Sequence, residues 1–306
     1  MGGAVGVVAV ISGPYHSAPC DVHRRKHPRA IARRLGMRAR IWGCRGSLAT
    51  PGPATVRYGG NTSCVEVRSR SDAVIVLDAG TGIRELGARL VQQDIKEVFL
   101  LLTHMHLDHV EGLGFFGPLF DPECAVHFYG PRPDEHSLHE RISGYVSPPL
   151  FPVPFEQVPG RPTFTEVWDE EFEVGGIRVR CAPVQHPGRT VGYRLEEAGR
   201  ALAFIPDNEP GLDSQSGLGL AAGADVLLHD AQYTTDEYAS RVGWGHSSLP
   251  DFAAVVRAAA PARVLMFHHD PLHSDERLET MLDTARTLAG RPDVELAREG
   301  LELDLD

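Results

Sequence analysis

The chain has 306 residues, of which 42% are hydrophobic, 7% aromatic and 23% charged, a balance that fits a folded globular protein and excludes a collagen-like or intrinsically disordered chain. No apolar run reaches the roughly 18 residues needed to span a membrane. The formal charge is −11, but residues 1–40 hold eight basic side chains against the single acid Asp21, so the rest of the chain carries −18 and repels polyanions such as nucleic acid unless a local cation intervenes.

The chain opens on an apolar stretch, Ala4 to Ile11, with no basic residue before it. Cys20 follows Ser17-Ala18-Pro19, where proline occupies the place that a signal or lipoprotein cleavage site gives to a small residue. Residues 1–36 are therefore expected to form a disordered extension, with Met37 as an alternative start, ahead of one domain over residues 37–306. Five cysteines (Cys20, Cys44, Cys64, Cys124, Cys181) are odd in number and lack CxxC spacing, which argues against a disulfide framework or a thiolate zinc site and fits a reducing cytoplasm.

From Met37 onward, short apolar runs alternate with glycine and proline. Arg38–Trp42, Thr62–Val67, Ala73–Leu77 and Val98–Leu102 predict strands, Ile83–Gln93 a helix, and Asp108–Phe116 a second, short helix. The proline-rich stretch from Pro131 to Pro162 reads as an irregular excursion or lid over the core. Strands resume at Ile177–Ala182, Thr190–Leu195, Ala201–Ile205 and Val226–His229. Ser247 or Ser248 caps a helix over Leu249–Ala259 that Pro261 stops, and Arg263–Phe267 reads as a strand. Ser274 then opens a last helix, with Asp275 and Glu276 in its first turn, Leu278, Met281, Leu282 and Leu288 on one face, and Gly290 at its end. The expectation is one α/β domain whose sheets are covered by helices.

The chemistry concentrates in Thr103-His104-Met105-His106-Leu107-Asp108-His109, which directly follows an apolar run. On extended backbone alternate side chains share a face, so His104 and His106 point together, while Asp108 and His109 fall where the chain turns into the next helix and reach a second point nearby. Imidazole and carboxylate suit zinc, manganese or iron. Three more candidates, His186, Asp207 and His268 (with His269 as its competitor), also follow short apolar strands, the position at which sheet folds gather functional side chains.

This HxHxDH run with a later His, Asp and His resembles the metallo-β-lactamase-fold hydrolases over nearly all of residues 37–306. The chain looks closest to their phosphodiesterase branch, which includes ribonuclease Z and the phosphoribosyl cyclic phosphodiesterases. The matching pieces are Trp42-Gly43-Cys44-Arg45-Gly46-Ser47, Leu77-Asp78-Ala79-Gly80-Thr81-Gly82, the Asp207 segment and Gly243-Trp244-Gly245-His246-Ser247. The resemblance implies a four-layer αββα sandwich and two divalent metal ions, zinc first, with manganese or iron as alternatives. It assigns His104, His106 and His186 to one ion, Asp108, His109 and His268 to the other, and Asp207 between them. True β-lactamases have cysteine where Asp207 stands, so antibiotic hydrolysis is not expected.

In this reading water activated between the two cations attacks the phosphorus, Asp108 also orients that water, and His246 gives a proton to the leaving alkoxide. The resemblance pairs His246 with Asp230, where ribonuclease Z usually has the longer glutamate; capping of the helix near Ser247 is the competing role for His246. Asp78 is expected to hold the outer nitrogen of a ligand histidine. Arg45, Arg57 and Asn61 could touch phosphate or stabilise turns. The excursion offers only Arg132, Arg141 and Arg161, too few for an RNA-binding arm, so the expected partner is a small cyclic nucleotide or phosphoribosyl cyclic phosphate and neither nucleic acid nor membrane. Carboxylic ester, thioester or lactone hydrolysis on the same metals is the alternative, followed by a non-catalytic metal-bearing sensor. The family and the Trp244 loop also admit a homodimer.

Overall fold

Seven strands build each of two sheets. The first sheet contains β1 (Met37–Gly43), β2 (Cys64–Arg68), β3 (Val74–Leu77), β4 (Glu97–Leu101), β5 (Ala125–Gly130) and β6 (Arg161–Glu166) in that order. The second runs β7 (Glu170–Val174), β8 (Ile177–Pro183), β9 (Val191–Glu197), β10 (Arg200–Ile205), β11 (Val226–Asp230), β12 (Arg263–Phe267) and β13 (Glu295–Leu296), while β14 (Glu302–Leu305) returns to pair with β1. The computed structural model describes residues 36–132, 135–210 and 216–306, so the expected N-terminal extension, Gly36 apart, lies outside the described residues. None of the helices among the described residues is long and apolar enough to cross a membrane.

Each sheet begins with antiparallel pairs and ends with parallel ones: β3 through β6 are parallel, as are β10 through β13. Parallel strands bring their C-terminal ends to one edge, where loops rather than strands carry side chains for chemistry. The strand β3 is buried along its whole length because alternate residues face two cores. Ile75 and Leu77 join Tyr193, Phe204, Leu228 and Phe267 between the sheets. Val74 and Val76 face outward against Leu86 and Leu90 of α1 (Ile83–Gln92). On the far side, Ala203, Leu227 and Met266 pack under α6 (Leu249–Ala259) and α7 (Asp275–Ala289). Helix, sheet, sheet, helix is the four-layer αββα order expected.

The helix expected over Asp108–Phe116 is broken. Only α2 (Leu107–Val110) is α-helical, and a single tighter turn follows at Leu113–Phe115. Ala79 explains the break: its N–H donates to His109 O at 2.7 Å and its carbonyl accepts from Gly112 N at 2.9 Å, tying this segment to the exit of β3. The Pro131–Pro162 excursion contains a helix that the prolines obscured, α3 (Leu138–Tyr145), started by a capping box between Ser137 and Glu140. Leu138, Ile142, Val146, Phe155 and Val158 are buried against the outer face of the first sheet, so this stretch is part of the outer layer. Two short helices remain, α4 (Ser216–Ala221) and α5 (Thr235–Tyr238).

Ser248, not Ser247, caps α6, accepting from Asp251 N at 3.3 Å. At the start of α7, Ser274 Oγ accepts from Arg277 N at 3.3 Å. Replacing Ser274 by alanine strands that N–H and is expected to cost about 1 kcal/mol of stability in urea unfolding, without altering the site at the sheet edges.

Candidate metal centre

Four strand exits meet at one edge of the sandwich. The 103–109 loop leaves β4, pinned where Val191 N donates to Thr103 O at 3.0 Å. His186 follows β8, Asp207 follows β10, and His268 follows β12 at a left-handed φ of 58°. Gly46 backs His268 so closely that a Cβ there would lie 2.2 Å from its Nδ1, which accounts for glycine at that position.

His104, His106 and His186 form one group. His186 Nε2 lies 3.0 Å from His106 Nδ1, and the His104 ring centre is 4.5 Å from that of His106 and 4.7 Å from that of His186. Asp108, His109 and His268 form the other: Asp108 Oδ2 is 3.3 Å from His109 Nε2 and 3.1 Å from His268 Nε2. Asp207 stands between them. Its Oδ2 faces His186 Nε2 at 3.6 Å and His104 Nε2 at 3.8 Å, while Oδ1 faces His109 Nε2 at 3.1 Å and His268 Nε2 at 3.2 Å. Of the seven only His106 is exposed, so the site opens to solvent on its side.

Proton placement shows what this arrangement suits. His109 Nδ1 meets Asp78 Oδ2 at 2.7 Å, His186 Nδ1 meets Gly245 O at 2.8 Å, and His268 Nδ1 meets Gln232 Oε1 at 2.8 Å. Each of these oxygens accepts the outer N–H, which turns the Nε2 lone pair inward. The inner edge is thus lined with electron-pair donors, and buried His104 Nε2 and Asp207 Oδ1 have no hydrogen-bond partner. Such a set is unfavourable unless cations lie among its atoms, and its imidazole and carboxylate chemistry fits two divalent ions. Burial pushes His186 down to about 4, keeping it neutral.

Asp78 does as expected for a residue behind the ligands: besides His109 it accepts from Thr103 N at 2.8 Å and Ser63 Oγ at 3.0 Å. Gln232 was not singled out in the sequence, since a carboxamide two residues past Asp230 has no distinguishing pattern. Its carbonyl fixes the His268 ring, and its Nε2 reaches Ser47 Oγ at 3.3 Å. Gln232→Ala is expected to weaken metal affinity 10- to 100-fold, read by competition with a chromophoric chelator.

Asp230 and His246 meet beside this cluster. His246 Nδ1 lies 2.9 Å from Asp230 Oδ2, so the shorter aspartate suffices; that carboxylate is itself fixed by Asn208 N at 3.1 Å and Gln232 N at 3.0 Å. The His246 ring stacks on His268 with centres 4.8 Å apart. Burial disfavours its proton, but the charge and hydrogen bond of Asp230, joined by Asp207 and Asp108, raise it above the usual imidazole value. Capping of α6 belongs to Ser248, which leaves His246 free of that role.

Of the two roles open to Arg45, Arg57 and Asn61 the contacts favour the structural one, and His268 rather than His269 joins the cluster. Arg45 is fully buried and donates to Gly59 O, Asp270 O and His273 O, so it braces loops and is not offered to a phosphate. Arg57 pairs with Glu276 and Glu279 on α7, and Asn61 N donates to Glu299. His269 lies outside the cluster, with Nε2 directed at Ala297 O at 2.9 Å.

A family profile described as "Beta-lactamase superfamily domain" matches residues 74–269. A ribonuclease Z from Mycobacterium avium (strain 104) is 28% identical over 272 residues, covering 78% of this chain and 88% of that protein. Among solved structures, a diphosphatase of the PhnP family superposes with a TM-score of 0.66 at 20% identity, covering 88% of this chain and 98% of that one. Human tRNase Z, short form, gives a TM-score of 0.62 at 17% identity, covering 88% and 99%.

Proposed function

The chain belongs to the β-lactamase superfamily of metal-dependent hydrolases, and from that premise we propose that it hydrolyses a small phosphodiester, a cyclic nucleotide or phosphoribosyl cyclic phosphate, with two divalent ions. The observation that carries the reading is the His246–Asp230 pair at 2.9 Å beside the seven-residue cluster. An alkoxide leaving group needs a proton, whereas a thiolate leaves without one, so the pair argues against a thioester, and the ribonuclease Z relative favours a phosphoric over a carboxylic ester.

His104, His106 and His186 would hold one ion and Asp108, His109 and His268 the other, with Asp207 shared. Ions there would polarise phosphoryl oxygens and bring the pKa of a water molecule toward neutrality. Asp108 is itself held by Ser47 N at 2.6 Å and is positioned to accept a hydrogen bond from the attacking water. His246 keeps Nδ1 on Asp230, so Nε2 carries the proton to the leaving oxygen.

A small diester is favoured over RNA by charge and by the excursion. Residues 37–306 are strongly acidic, and the stretch around α3 is packed on the core instead of extending as a basic arm. The ribonuclease Z relative is the reason to test RNA as well. The experiment compares zinc- and manganese-loaded protein on bis(p-nitrophenyl) phosphate, p-nitrophenyl acetate, an acyl thioester and a pre-tRNA. Measured against each substrate's own uncatalysed rate, the diester is expected to gain more from the metal-loaded protein than the acyl substrates, because its phosphoryl oxygens suit two cations. Preference for the acetate or thioester would replace this reading with ester hydrolysis.

A further inference from the structure

We infer that the turn bearing Trp244 is a preformed ledge for an aromatic group of the substrate, a nucleobase or aryl ring, beside the His246 end of the site; the inference rests on the phosphodiesterase reading.

Three tryptophans occur in the chain, and two are occupied. Trp42 is buried and donates to Glu66, and Trp168 lies under the Arg189 guanidinium at 4.0 Å. Trp244 is 60% exposed. An exposed indole on a loose loop would carry no information, but this turn is fixed. The Glu209 carboxylate, itself only 9% exposed, accepts from Gly243 N at 2.8 Å, Gly245 N at 2.8 Å and the Tyr238 hydroxyl at 2.6 Å. Gly243 and Gly245 take left-handed φ of 86° and 89°, and a Cβ on Gly245 would lie 2.2 Å from His186 Nδ1. The backbone of the turn is therefore locked against His186, and the ordering cost of the segment that carries the indole is met before any ligand arrives.

The ledge is also tied to the candidate acid through the buried Tyr233 ring. The Tyr233 ring centre lies 5.8 Å from that of His246, and the Arg241 guanidinium sits 5.0 Å over Tyr233 and 5.9 Å from the Trp244 ring. This row leads outward from the site: imidazole, phenol ring, guanidinium, indole. A π-face with an adjacent cation suits a planar base attached to an anionic phosphate, because stacking is tolerant of base identity and the guanidinium complements the charge.

The test uses metal-loaded protein with adenosine 5′-monophosphate and ribose 5-phosphate as probes, in titration calorimetry and by quenching of tryptophan fluorescence. Wild type is expected to prefer the nucleotide about tenfold and to be quenched by it alone, and Trp244→Ala to lose the preference while its affinity for ribose 5-phosphate holds. Equal affinity of wild type for both probes overturns the ledge; if that protein still cleaves bis(p-nitrophenyl) phosphate, the phosphodiesterase reading stands alone. Nucleotide preference without diester hydrolysis leaves the ledge and removes the phosphodiesterase reading. A Trp244→Ala variant that keeps the preference and instead dissociates from dimer to monomer in sedimentation assigns the indole to a second copy and overturns the proposal.

Discussion

Asp207→Ala is expected to abolish turnover, by about 10³-fold or more, and to lower the bound metal below two equivalents per chain by elemental analysis. Each oxygen of this carboxylate faces a different histidine pair, with Oδ1 3.1 Å from His109 and 3.2 Å from His268, and Oδ2 3.6 Å from His186 and 3.8 Å from His104. Removing it takes a charged donor from both positions at once and leaves five imidazoles with Asp108 alone. Metal-assisted catalysis supplies several kcal/mol, and each 1.36 kcal/mol is a factor of ten, which sets the expected loss. The fold should persist in circular dichroism, because Asp207 lies past the end of β10 and contributes nothing to the apolar cores. Two equivalents of metal and near-normal turnover in this variant would show that Asp207 is not shared between ions.

His246→Ala is expected to separate substrates by their leaving groups. For a diester with an alkyl leaving group the loss should be about 10²- to 10⁴-fold, the range of a positioned general acid; for p-nitrophenyl esters, whose phenolate departs readily, it should be much smaller. The pH profile carries the same signature. A raised imidazole is protonated at low pH and loses its proton as pH rises through the elevated value, so the acid form and the wild-type rate with alkyl leaving groups should both fall on the alkaline side. His246→Ala should lack that alkaline limb. Asp230→Asn should shift it to lower pH, since Asp230 is the foremost influence raising the group. An equal loss on all leaving groups, with the limb intact, would make His246 a structural residue.

Much of this site was legible because its signals are local. His104, His106, Asp108 and His109 lie within six residues, and His186, Asp207 and His268 each follow an apolar strand, a position readable without knowing the partners. What ties them together is long-range and left no such mark. Gln232 reaches His268 across 36 positions, and Glu209 reaches Gly243 and Gly245 across 34 and 36, each through one polar side chain in ordinary surroundings. The same distinction runs through the fold. The helices α6 and α7 announced themselves by capping serines and terminators, whereas β7 was missed because Glu170, Glu171 and Glu173 make it too charged to read as a strand. That composition is tolerable since β7 is the edge of its sheet, where charge discourages pairing with another chain. Arg45 left two readings open for a related reason: a basic residue among glycines suits either anion binding or the bracing of turns, and only the long-range contacts of its guanidinium with three backbone carbonyls decide for bracing.

The most direct test of the account is hydrolysis of bis(p-nitrophenyl) phosphate by chelator-stripped protein refilled separately with zinc and manganese, beside Asp108→Ala treated in the same way. The account predicts no turnover when stripped, recovery with metal, and loss of that recovery in Asp108→Ala. Full loading with two equivalents of metal and no cleavage of the diester would contradict it.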